Sequence, residues 1–331
     1  MKTIINPDLY HGKNKNDNFF EGWYFKIVDK NNKYKFAFIP GIAFDKKHNT
    51  SHSFIQIVDG YNVNYNYLLF NVNKFKFNNN NFKISVDNNI FSLENIKLNL
   101  RYLNKSNNTY KSIKGNLDFL NTKKWPDDIL NPGSMGFYNY FSFMECYSQV
   151  CLVNGSIKGS LLIDGKNIDF TDGSVYIEKN WGKSFPTSWI WIQSNNFKEK
   201  DVSVTCSLGK VPFLVTNFTG FLIGVTVKDK FYKFTTMNLS KIKIKKYKSD
   251  VYLTAYNNKY ILSLKTYSNN DKFVLCMGPK NGNMVPLVNE TIDGKVHMIL
   301  KSIKDGKVIY DGIGYSTGIE YGGENTKKFN I

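Results

Sequence analysis

Hydrophobic and polar residues alternate along most of the chain, which is the pattern of β-strands with one buried face. Turn-forming pairs such as Asp59-Gly60, Asp164-Gly165 and Asp305-Gly306 separate the alternating segments. Many short strands joined by tight turns predict an all-β antiparallel sandwich or barrel, in which any helix is short. The clearest strands are predicted at Ser53–Asp59, Lys74–Phe77, Phe82–Asp87, Lys97–Leu100, Tyr252–Tyr256 and Tyr260–Lys265.

The middle of the chain departs from this rhythm. Pro126 and the run Asn131-Pro132-Gly133 predict a loop there. Residues 19–25 and residues 185–191 each combine an aromatic residue, a short polar gap and an alternating aromatic strand. This weak internal repeat predicts two similar β-domains, residues 1–183 and residues 184–331.

Composition and charge narrow the class of protein. The chain has 331 residues, of which 42% are hydrophobic, so it can bury a large core and global disorder is excluded. Lys and Arg total 44 against 27 Asp and Glu, a net charge of +17, and Arg101 is the single arginine. Specific reading of phosphates and guanines relies on the guanidinium group, so the sequence argues against specific nucleic-acid binding. An anionic membrane surface stays open as a partner.

Lysines are densest between residues 241 and 248, where most of them alternate with apolar side chains. That period predicts a strand with one solvated, basic face. The lysines of this stretch are Lys241, Lys243, Lys245, Lys246 and Lys248.

The sequence also gives an expectation about location. The first residues lack the apolar centre of a signal peptide, and no segment approaches the roughly 18 apolar residues of a spanning helix. The four cysteines include no Cys-x-x-Cys pair, which is consistent with reduced thiols in the cytosol. We expect a cytoplasmic protein that can also contact a membrane peripherally through its lysines.

Common catalytic motifs are absent from the sequence. There is no Gly-x-Gly-x-x-Gly after a strand and no P-loop. His48 and His52 have the spacing of metal ligands on a helix, but their segment is predicted to run from loop into strand. We therefore expect no cofactor and no metal site.

Two segments combine charged residues with large aromatic side chains. The first is Glu21-Gly-Trp-Tyr-Phe-Lys26, and the second runs from Tyr176-Ile-Glu-Lys-Asn-Trp181 to Ser188-Trp-Ile-Trp-Ile-Gln-Ser194. In a strand, Glu21 and Trp23 of the first segment share a face. In the second segment, Tyr176, Glu178 and Asn180 share a face of one strand. Trp189, Trp191 and Gln193 share a face of the strand that follows it. Trp23 either plugs the base of a barrel or lines a pocket, and a Glu beside a Lys either forms an ion pair or serves a site.

At these residues the sequence resembles the tocopherol cyclase family. Glu21-Gly-Trp-Tyr-Phe-Lys26 is similar to that family's amino-terminal motif. Tyr176-Ile-Glu-Lys-Asn-Trp-Gly-Lys-Ser-Phe-Pro186 and Ser188–Ser194 are similar to its central motif. Further matches include Pro132-Gly-Ser-Met-Gly136 and Phe143-Met-Glu-Cys146, so the resemblance covers most of the chain.

The resemblance implies two tandem lipocalin-like β-barrels and an isomerase chemistry without a cofactor. In that chemistry, an acid protonates a prenyl double bond and a phenol oxygen of the same molecule closes a ring. On residue type and alternation, we expect Glu178 to be the acid, with Glu21 as its rival. Lys179 and Asn180 are expected to orient the phenol or to lower its pKa. The predicted lining of the cleft is Trp23, Tyr176, Trp181, Trp189, Trp191 and Gln193.

Two alternatives stay open at this stage. A hydratase would use the same protonation with water as the nucleophile. A carrier of an apolar, isoprenoid-type ligand would share the aromatic lining and lack the acid, because small barrels commonly hold one ligand. The sequence leaves the natural substrate undefined.

Overall fold

The computed structural model describes residues 2–104, 108–213, 216–247 and 250–323, and regular structure in these ranges is almost entirely β-strand. This confirms the predicted all-β class, and the helices are as short as expected. None of the described helices has the length and apolar character needed to cross a membrane. The helices are α1 (Lys2–Ile5) and 3₁₀ turns at Gly12–Asn14, Val72–Lys74, Gly136–Tyr140, Thr236–Asn238 and Asn270–Lys272.

The first sheet contains 13 antiparallel strands among the described residues. Its strands are β1 (Phe19–Val28), β2 (Lys35–Phe44), β3 (His52–Asp59), β4 (Asn64–Phe70), β5 (Phe75–Phe77), β6 (Lys83–Val86), β7 (Asn89–Ser92), β8 (Asn95–Asn104), β9 (Thr109–Lys123), β10 (Cys146–Leu152), β11 (Asn154–Ile163), β12 (Lys166–Asp169) and β13 (Ser174–Gly182). The strand order is β4-β3-β2-β1-β13-β11-β9-β8-β7-β6-β5, with β10 beside β13 and β12 beside β11.

The second sheet contains 10 antiparallel strands among the described residues. Its strands are β14 (Ser188–Ser194), β15 (Ser203–Phe213), β16 (Thr216–Val227), β17 (Lys230–Thr235), β18 (Lys241–Tyr247), β19 (Asp250–Tyr256), β20 (Tyr260–Tyr267), β21 (Val274–Lys280), β22 (Asn283–Ser302) and β23 (Val308–Gly323). The strand order is β17-β16-β15-β14-β23-β22-β20-β19-β18, with β21 beside β22. Both sheets are curled or nearly closed, as the predicted pair of barrels requires.

Tight turns with left-handed residues connect several neighbouring strands. Asp164 (φ 50°) and Gly165 (φ 82°) form the predicted turn between β11 and β12. Asn281 (φ 54°) and Gly282 (φ 79°) form the equivalent turn between β21 and β22. Positive φ at both central residues is the geometry of the hairpin turns that match strand twist, which explains why Asp-Gly and Asn-Gly occupy these positions.

The chain divides into two compact units. The first consists of residues 1–185 and 277–285, and the second of residues 186–276 and 286–331. The tip of the β21–β22 hairpin therefore belongs to the first unit, although its strands continue into the second. The predicted domain limits at residues 183 and 184 stay a prediction.

Each unit encloses its own apolar core. In the first unit, alternate residues of β1 enter the core, so that Phe25 and Ile27 are fully buried. Phe25 contacts the rings of Phe82 and Phe91, with centroids 5.9 Å and 5.4 Å away. In the second unit, Ile190 and Ile192 of β14 are buried in the same way. We call the side of each sheet that carries these residues its core face, and the other side its opposite face.

Truncation of Phe25 tests this description of the first core. Phe25→Ala removes a fully buried ring, so we expect a loss of about 3–5 kcal/mol in the free energy of unfolding. Leu69→Ala is the matched control on β4, because Leu69 is 65% exposed, and it should change stability by less than about 0.5 kcal/mol. Chemical denaturation of both variants measures the difference, and equal effects would contradict the assignment of the core.

Candidate functional site

The two motif segments lie side by side as strands β1 and β13. Their antiparallel register pairs Glu21 with Trp181, Trp23 with Lys179, and Tyr24 with Glu178. Directly paired residues point to the same side of a sheet, and successive residues point to opposite sides. One ladder therefore presents motif residues on both of its faces, and the candidate residues fall into two separate groups.

A buried ion pair occupies the core face of this ladder. Lys179 Nζ lies 2.5 Å from Glu21 Oε1, and both side chains have 0% exposure. Lys179 also donates to the carbonyl oxygen of Leu9 at 2.6 Å. The backbone N–H of His11 donates to Glu21 Oε2 at 2.8 Å. Charge-assisted hydrogen bonds at Leu9 and His11 thus hold the segment before β1 against the core.

His11 completes this cluster, and both of its ring nitrogens have partners. Nδ1 of His11 lies 3.2 Å from Lys179 Nζ, and Nε2 lies 3.2 Å from the carbonyl oxygen of Thr3. Nδ1 also lies 3.3 Å from Glu21 Oε1, so it contacts both members of the ion pair. Burial, reinforced by the charge of Lys179, lowers the pKa of His11, although Glu21 acts in the other direction. His11 is therefore neutral near pH 7.

Glu21 is held as a carboxylate by its partners. Burial alone raises the pKa of Glu21, but the charge of Lys179 and the hydrogen bond from His11 outweigh it and leave the pKa below its usual value. An anionic carboxylate at neutral pH cannot serve as a proton donor. The sequence left open whether a Glu beside a Lys forms an ion pair or serves a site, and Glu21 is observed to form an ion pair with Lys179.

Two indole rings enclose the ammonium group of Lys179. Its Nζ lies 5.1 Å from the ring centroid of Trp23 and 4.8 Å from that of Trp181. Trp23 belongs to the packed core, where it stacks with Phe75 and Phe82. Trp181 stacks on His11 with centroids 3.9 Å apart. These rings therefore add cation–π contacts to a buried charge that would otherwise be costly.

The opposite face of the same ladder carries the second group. Tyr176 donates from its hydroxyl to Glu178 Oε2 at 2.6 Å, and both residues are buried. Tyr24 is paired with Glu178, and Lys26 with Tyr176, so their side chains are immediate neighbours. Tyr24 and Lys26 are also buried. The structure thus brings together the expected acid, Glu178, and the expected lining residue Tyr176.

Asn180 and Lys179 do not act on the same side of the sheet. Asn180 is half-buried on the face of Glu178, in register with Gly22 and Ser148. Lys179 points into the core. The expectation that these two residues jointly orient a phenol therefore applies, in this geometry, to Asn180 alone.

The β21–β22 hairpin tip covers part of this opposite face. Met277 and Met284 pack against Phe54 and Ala43 on β2 and β3. The backbone N–H of Met277 donates to the hydroxyl of Tyr65 at 2.9 Å. The hairpin tip therefore covers side chains of the first unit that lie outside the main core.

The remaining candidate residues lie in the second unit, on the opposite face of β14. Trp189, Trp191 and Gln193 alternate with the core residues Ile190 and Ile192, and all three are buried. Trp189 Nε1 donates to Glu320 Oε1 of β23. These tryptophans therefore share a face with the carboxylate of Glu320, which lies outside the two motif segments.

A cavity of about 230 Å³ lies in the first unit, and none of the predicted site residues lines it, although its lining residues Gln149 and Val150 pair with Lys179 and Glu178. Its lining includes Asp8, Lys124, Gln149 and Cys151. Asp8 accepts from Lys124 Nζ at 2.7 Å and from Gln149 Nε2 at 2.9 Å, so its carboxylate is already satisfied. No group of His, Cys, Asp and Glu side chains in the described ranges could hold a metal ion.

Several residues of these clusters are not among those predicted from the sequence. Nothing near His11 in the sequence pointed to Glu21, since their contact depends on how the chain enters β1. Glu320 did have a signal, because it stands in Gly318-Ile-Glu-Tyr-Gly322, where a strand carries glycines on either side of a carboxylate. Glu290 of β22, which is paired with Glu320 in the strand register, had none.

Two curled antiparallel sheets, with paired motif strands that bury carboxylates and tryptophans, define an all-β protein of the paired-barrel class. A family model described as tocopherol cyclase-like matches residues 116–323. The chain belongs to this family.

Sequence relatives agree with the family. A probable chloroplastic tocopherol cyclase of Oryza sativa subsp. japonica is 26% identical over 200 residues, which are 57% of this chain and 42% of that protein. The chloroplastic tocopherol cyclase of Zea mays is 35% identical over 103 residues, 30% of this chain and 22% of that protein. The matched region spans less than half of the length of either relative.

A solved structure supports the fold. The crystal structure of CghA with Sch210972 superposes with a TM-score of 0.57, covering 92% of this chain and 89% of that chain at 7% identity. At this level of identity the similarity shows a shared architecture.

Removal of the Glu21 carboxylate tests the ion pair and its pH dependence. Glu21→Gln leaves Lys179 buried without a counter-charge, so we expect a loss of about 3–5 kcal/mol in the free energy of unfolding at pH 7. Because the pKa of Glu21 is lower in the folded state, this contribution is present above the unfolded pKa and is lost as the pH falls through the folded pKa. The gap between variant and wild type should therefore narrow in acid.

Denaturant unfolding at a series of pH values measures that gap. Glu94→Gln is the control, because Glu94 is exposed. A gap for Glu21→Gln that stays constant from neutral to acidic pH would contradict the assigned charge state.

Proposed function

We propose that the protein is an enzyme of the cyclase or hydratase type, which protonates a carbon–carbon double bond of an apolar substrate at Glu178. The family membership supports the reaction class. The observation that carries the residue assignment is the buried Tyr176–Glu178 contact at 2.6 Å, on the face opposite to the core of the first unit. Glu21, the rival acid, is kept anionic by Lys179 and is therefore a poor proton donor.

The proposed reaction balances with protons alone. The carboxyl proton of Glu178 passes to one alkene carbon, and the other becomes a tertiary carbocation. The phenol oxygen of the same molecule attacks this cation to form a carbon–oxygen bond. The phenol proton then returns to the Glu178 carboxylate, so the product has the mass of the substrate. In the hydratase variant, water attacks the cation and the product gains one water.

The surrounding residues have defined roles in this proposal. Tyr176 orients the carboxyl group of Glu178 by donating to Oε2. The ring of Tyr24, paired with Glu178, supplies an aromatic face, and a desolvated cation gains about 2 kcal/mol over such a ring. Asn180 is placed on the same face to hydrogen-bond a hydroxyl of the substrate. Glu21, Lys179, Trp23 and Trp181 support the fold beneath it.

We also propose that the protein docks on anionic membranes through the opposite face of the second sheet. Lys241, Lys243 and Lys245 are exposed on β18, in register with Tyr256, Thr254 and Tyr252 of β19. The face continues over β20 and β22, with Lys265 beside Tyr252 and Lys295 beside Tyr267. Lys248 lies outside the described residues.

The composition of this basic face suits an anionic bilayer. Exposed apolar and aromatic residues, including Tyr252, Ile261, Tyr267 and Ile313, stand among the lysines. Asp311 is the acidic residue on this part of β23, and it is paired with His297 at 2.6 Å. Lysines near an anionic bilayer contribute about 1 kcal/mol each, and tyrosines favour its interface. Lipid-borne substrates would reach the enzyme from such a surface.

Replacement of Glu178 tests the proposed acid. Wild-type protein incubated with a panel of prenylated hydroquinones should form products of unchanged mass, or of one added water, detected by liquid chromatography and mass spectrometry. Glu178→Gln should lower turnover by at least about 10²–10⁴, because it removes the positioned proton donor. Glu94→Gln should leave turnover unchanged. Unaltered turnover in Glu178→Gln would reject the assignment, and binding without conversion over the whole panel would identify a carrier.

Charge neutralisation on β18 tests the docking face. Replacement of Lys241, Lys243 and Lys245 by Gln should weaken binding to phosphatidylserine-containing vesicles by about 3 kcal/mol at low salt. The control changes Lys97, Lys114 and Lys158, which are exposed on the first sheet, to Gln and removes the same charge. Equal losses in both triple variants would reject a localised face. Tighter binding to single-stranded nucleic acid than to vesicles would assign the face to another partner.

A further inference from the structure

His52 and Tyr67 form a hydrogen-bonded pair on the opposite face of the first sheet, outside both motif segments. His52 begins β3 and Tyr67 lies on β4, and Nε2 of His52 is 2.7 Å from the hydroxyl oxygen of Tyr67. Ile55 and Ile57 of β3 enter the core, so His52 and Phe54, which alternate with them, point away from it. We call His52 and Tyr67 the dyad.

The hydrogen bonds of the dyad define where its protons lie. Nδ1 of His52 contacts the carbonyl oxygen of Thr50, which can only accept, so Nδ1 carries a proton. Burial lowers the pKa of His52, although the hydrogen bond to Thr50 acts in the other direction. The ring is therefore neutral near pH 7, with no proton on Nε2. Burial raises the pKa of Tyr67, so its hydroxyl keeps its proton and donates it to Nε2.

The surroundings of the dyad are apolar and aromatic. The ring of Phe54 stacks on that of Tyr67 with centroids 5.3 Å apart, and its centroid lies 5.9 Å from that of His52. Met277 and Met284 of the hairpin tip belong to the same apolar cluster. Both side chains of the dyad stay partly exposed, so a ligand can reach them.

In the described part of the sheet, no charged side chain is paired with the dyad. Its partners across the ladder are Ala43 and Gln56. Asp45 and His48, in the turn before β3, pair with each other at 2.7 Å, and the hydroxyl of Thr50 donates to the same carboxylate at 3.1 Å. The protonation of the dyad histidine therefore depends on burial and on its own hydrogen bonds.

The position of the tyrosine proton decides what the dyad can bind. Because Tyr67 gives its only hydroxyl proton to Nε2, its oxygen can only accept from a ligand. The ligand must therefore bring a hydroxyl proton, and the apolar surroundings favour a flat, uncharged body. We propose that the dyad binds the hydroxyl group of an uncharged phenol or hydroquinone. It discriminates against the corresponding ether or quinone, which has no proton to donate.

This inference is independent of the function proposed for Glu178. Strands β1, β2 and β3 separate β13 from β4 in the strand order, which places the dyad four strand spacings, roughly 19 Å along the sheet, from Glu178. A ligand hydroxyl on Tyr67 is therefore out of hydrogen-bond reach of Glu178.

NMR of the full chain with ¹⁵N-labelled histidine tests the dyad directly, and the spectrum of His52→Gln identifies the His52 signals. At pH 7 we expect a neutral ring protonated on Nδ1. The shift of these signals during titration should give an affinity for 4-prenylphenol about five- to tenfold higher than for its methyl ether, the effect of one hydrogen bond. Tyr67→Phe should remove this preference. Tyr110→Phe, which changes a ring that is 71% exposed on β9, should retain it.

The preference for the phenol should also depend on pH. As the pH falls through the lowered pKa of His52, Nε2 gains a proton and donates to Tyr67, whose own proton is then free for an acceptor. The preference should therefore be present at neutral pH and disappear in acid, below the ordinary titration range of histidine. The same titration with both ligands at a series of pH values measures this change.

Circular dichroism establishes that each variant is folded, and if a variant is not, the comparison of the two ligands on the wild-type chain decides alone. A His52 ring protonated on Nε2 at pH 7, equal affinities for phenol and ether, or no response of the His52 signals to either ligand would overturn the inference. Turnover at Glu178 is measured separately, so failure of one proposal leaves the other standing.

Discussion

Successive residues of a β-strand face opposite sides of its sheet, and this constraint decides which side chains of the motif strands enter the core. Strands β1 and β13 are adjacent, so their combined sequence is divided between a core face and an opposite face. The core face receives Glu21, Trp23, Lys179 and Trp181. The opposite face receives the acid–hydroxyl contact of Glu178 and Tyr176. A shift of one residue in the pairing would exchange the two groups and bury the wrong charges.

The core face and the opposite face of this ladder carry different groups. On the core face, a buried ion pair needs every hydrogen bond it can obtain, and it takes them from the entering backbone at Leu9 and His11. Because Glu21 is ionised in this ion pair, it is a poor proton donor. The ion pair also fixes β13 on its core face, and rigid strands position side chains more accurately than loops do. Glu178 therefore projects from a well-anchored strand.

The second unit repeats this arrangement with different residues. Its motif strand β14 also sends aliphatic residues into a core and tryptophans to the other side, where they contact a carboxylate. In the first unit the carboxyl is fixed by a tyrosine hydroxyl, and in the second by an indole N–H. Both units thus place an oriented carboxyl group among aromatic rings outside their cores.

Alternation predicted the strands well because one face of nearly every strand is buried, and the Asp-Gly turns fell where strands end. The same alternation correctly grouped Tyr176 with Glu178. It could not show which face of a strand would meet the core, so Lys179 was expected beside a substrate and is found beside Glu21. The contact of His11 with Glu21 depends on how the chain enters β1, and the pairing of Glu290 with Glu320 depends on strand order, and neither has a local signature.

The central claim is that a proton from the protein adds to a carbon of the substrate, and isotope labelling tests it most directly. A turnover in D₂O, analysed by mass spectrometry and NMR, should give a product with one deuterium on the former alkene carbon, because the exchangeable carboxyl of Glu178 carries solvent deuterium. A product formed at the same rate with no deuterium bound to carbon would contradict the account.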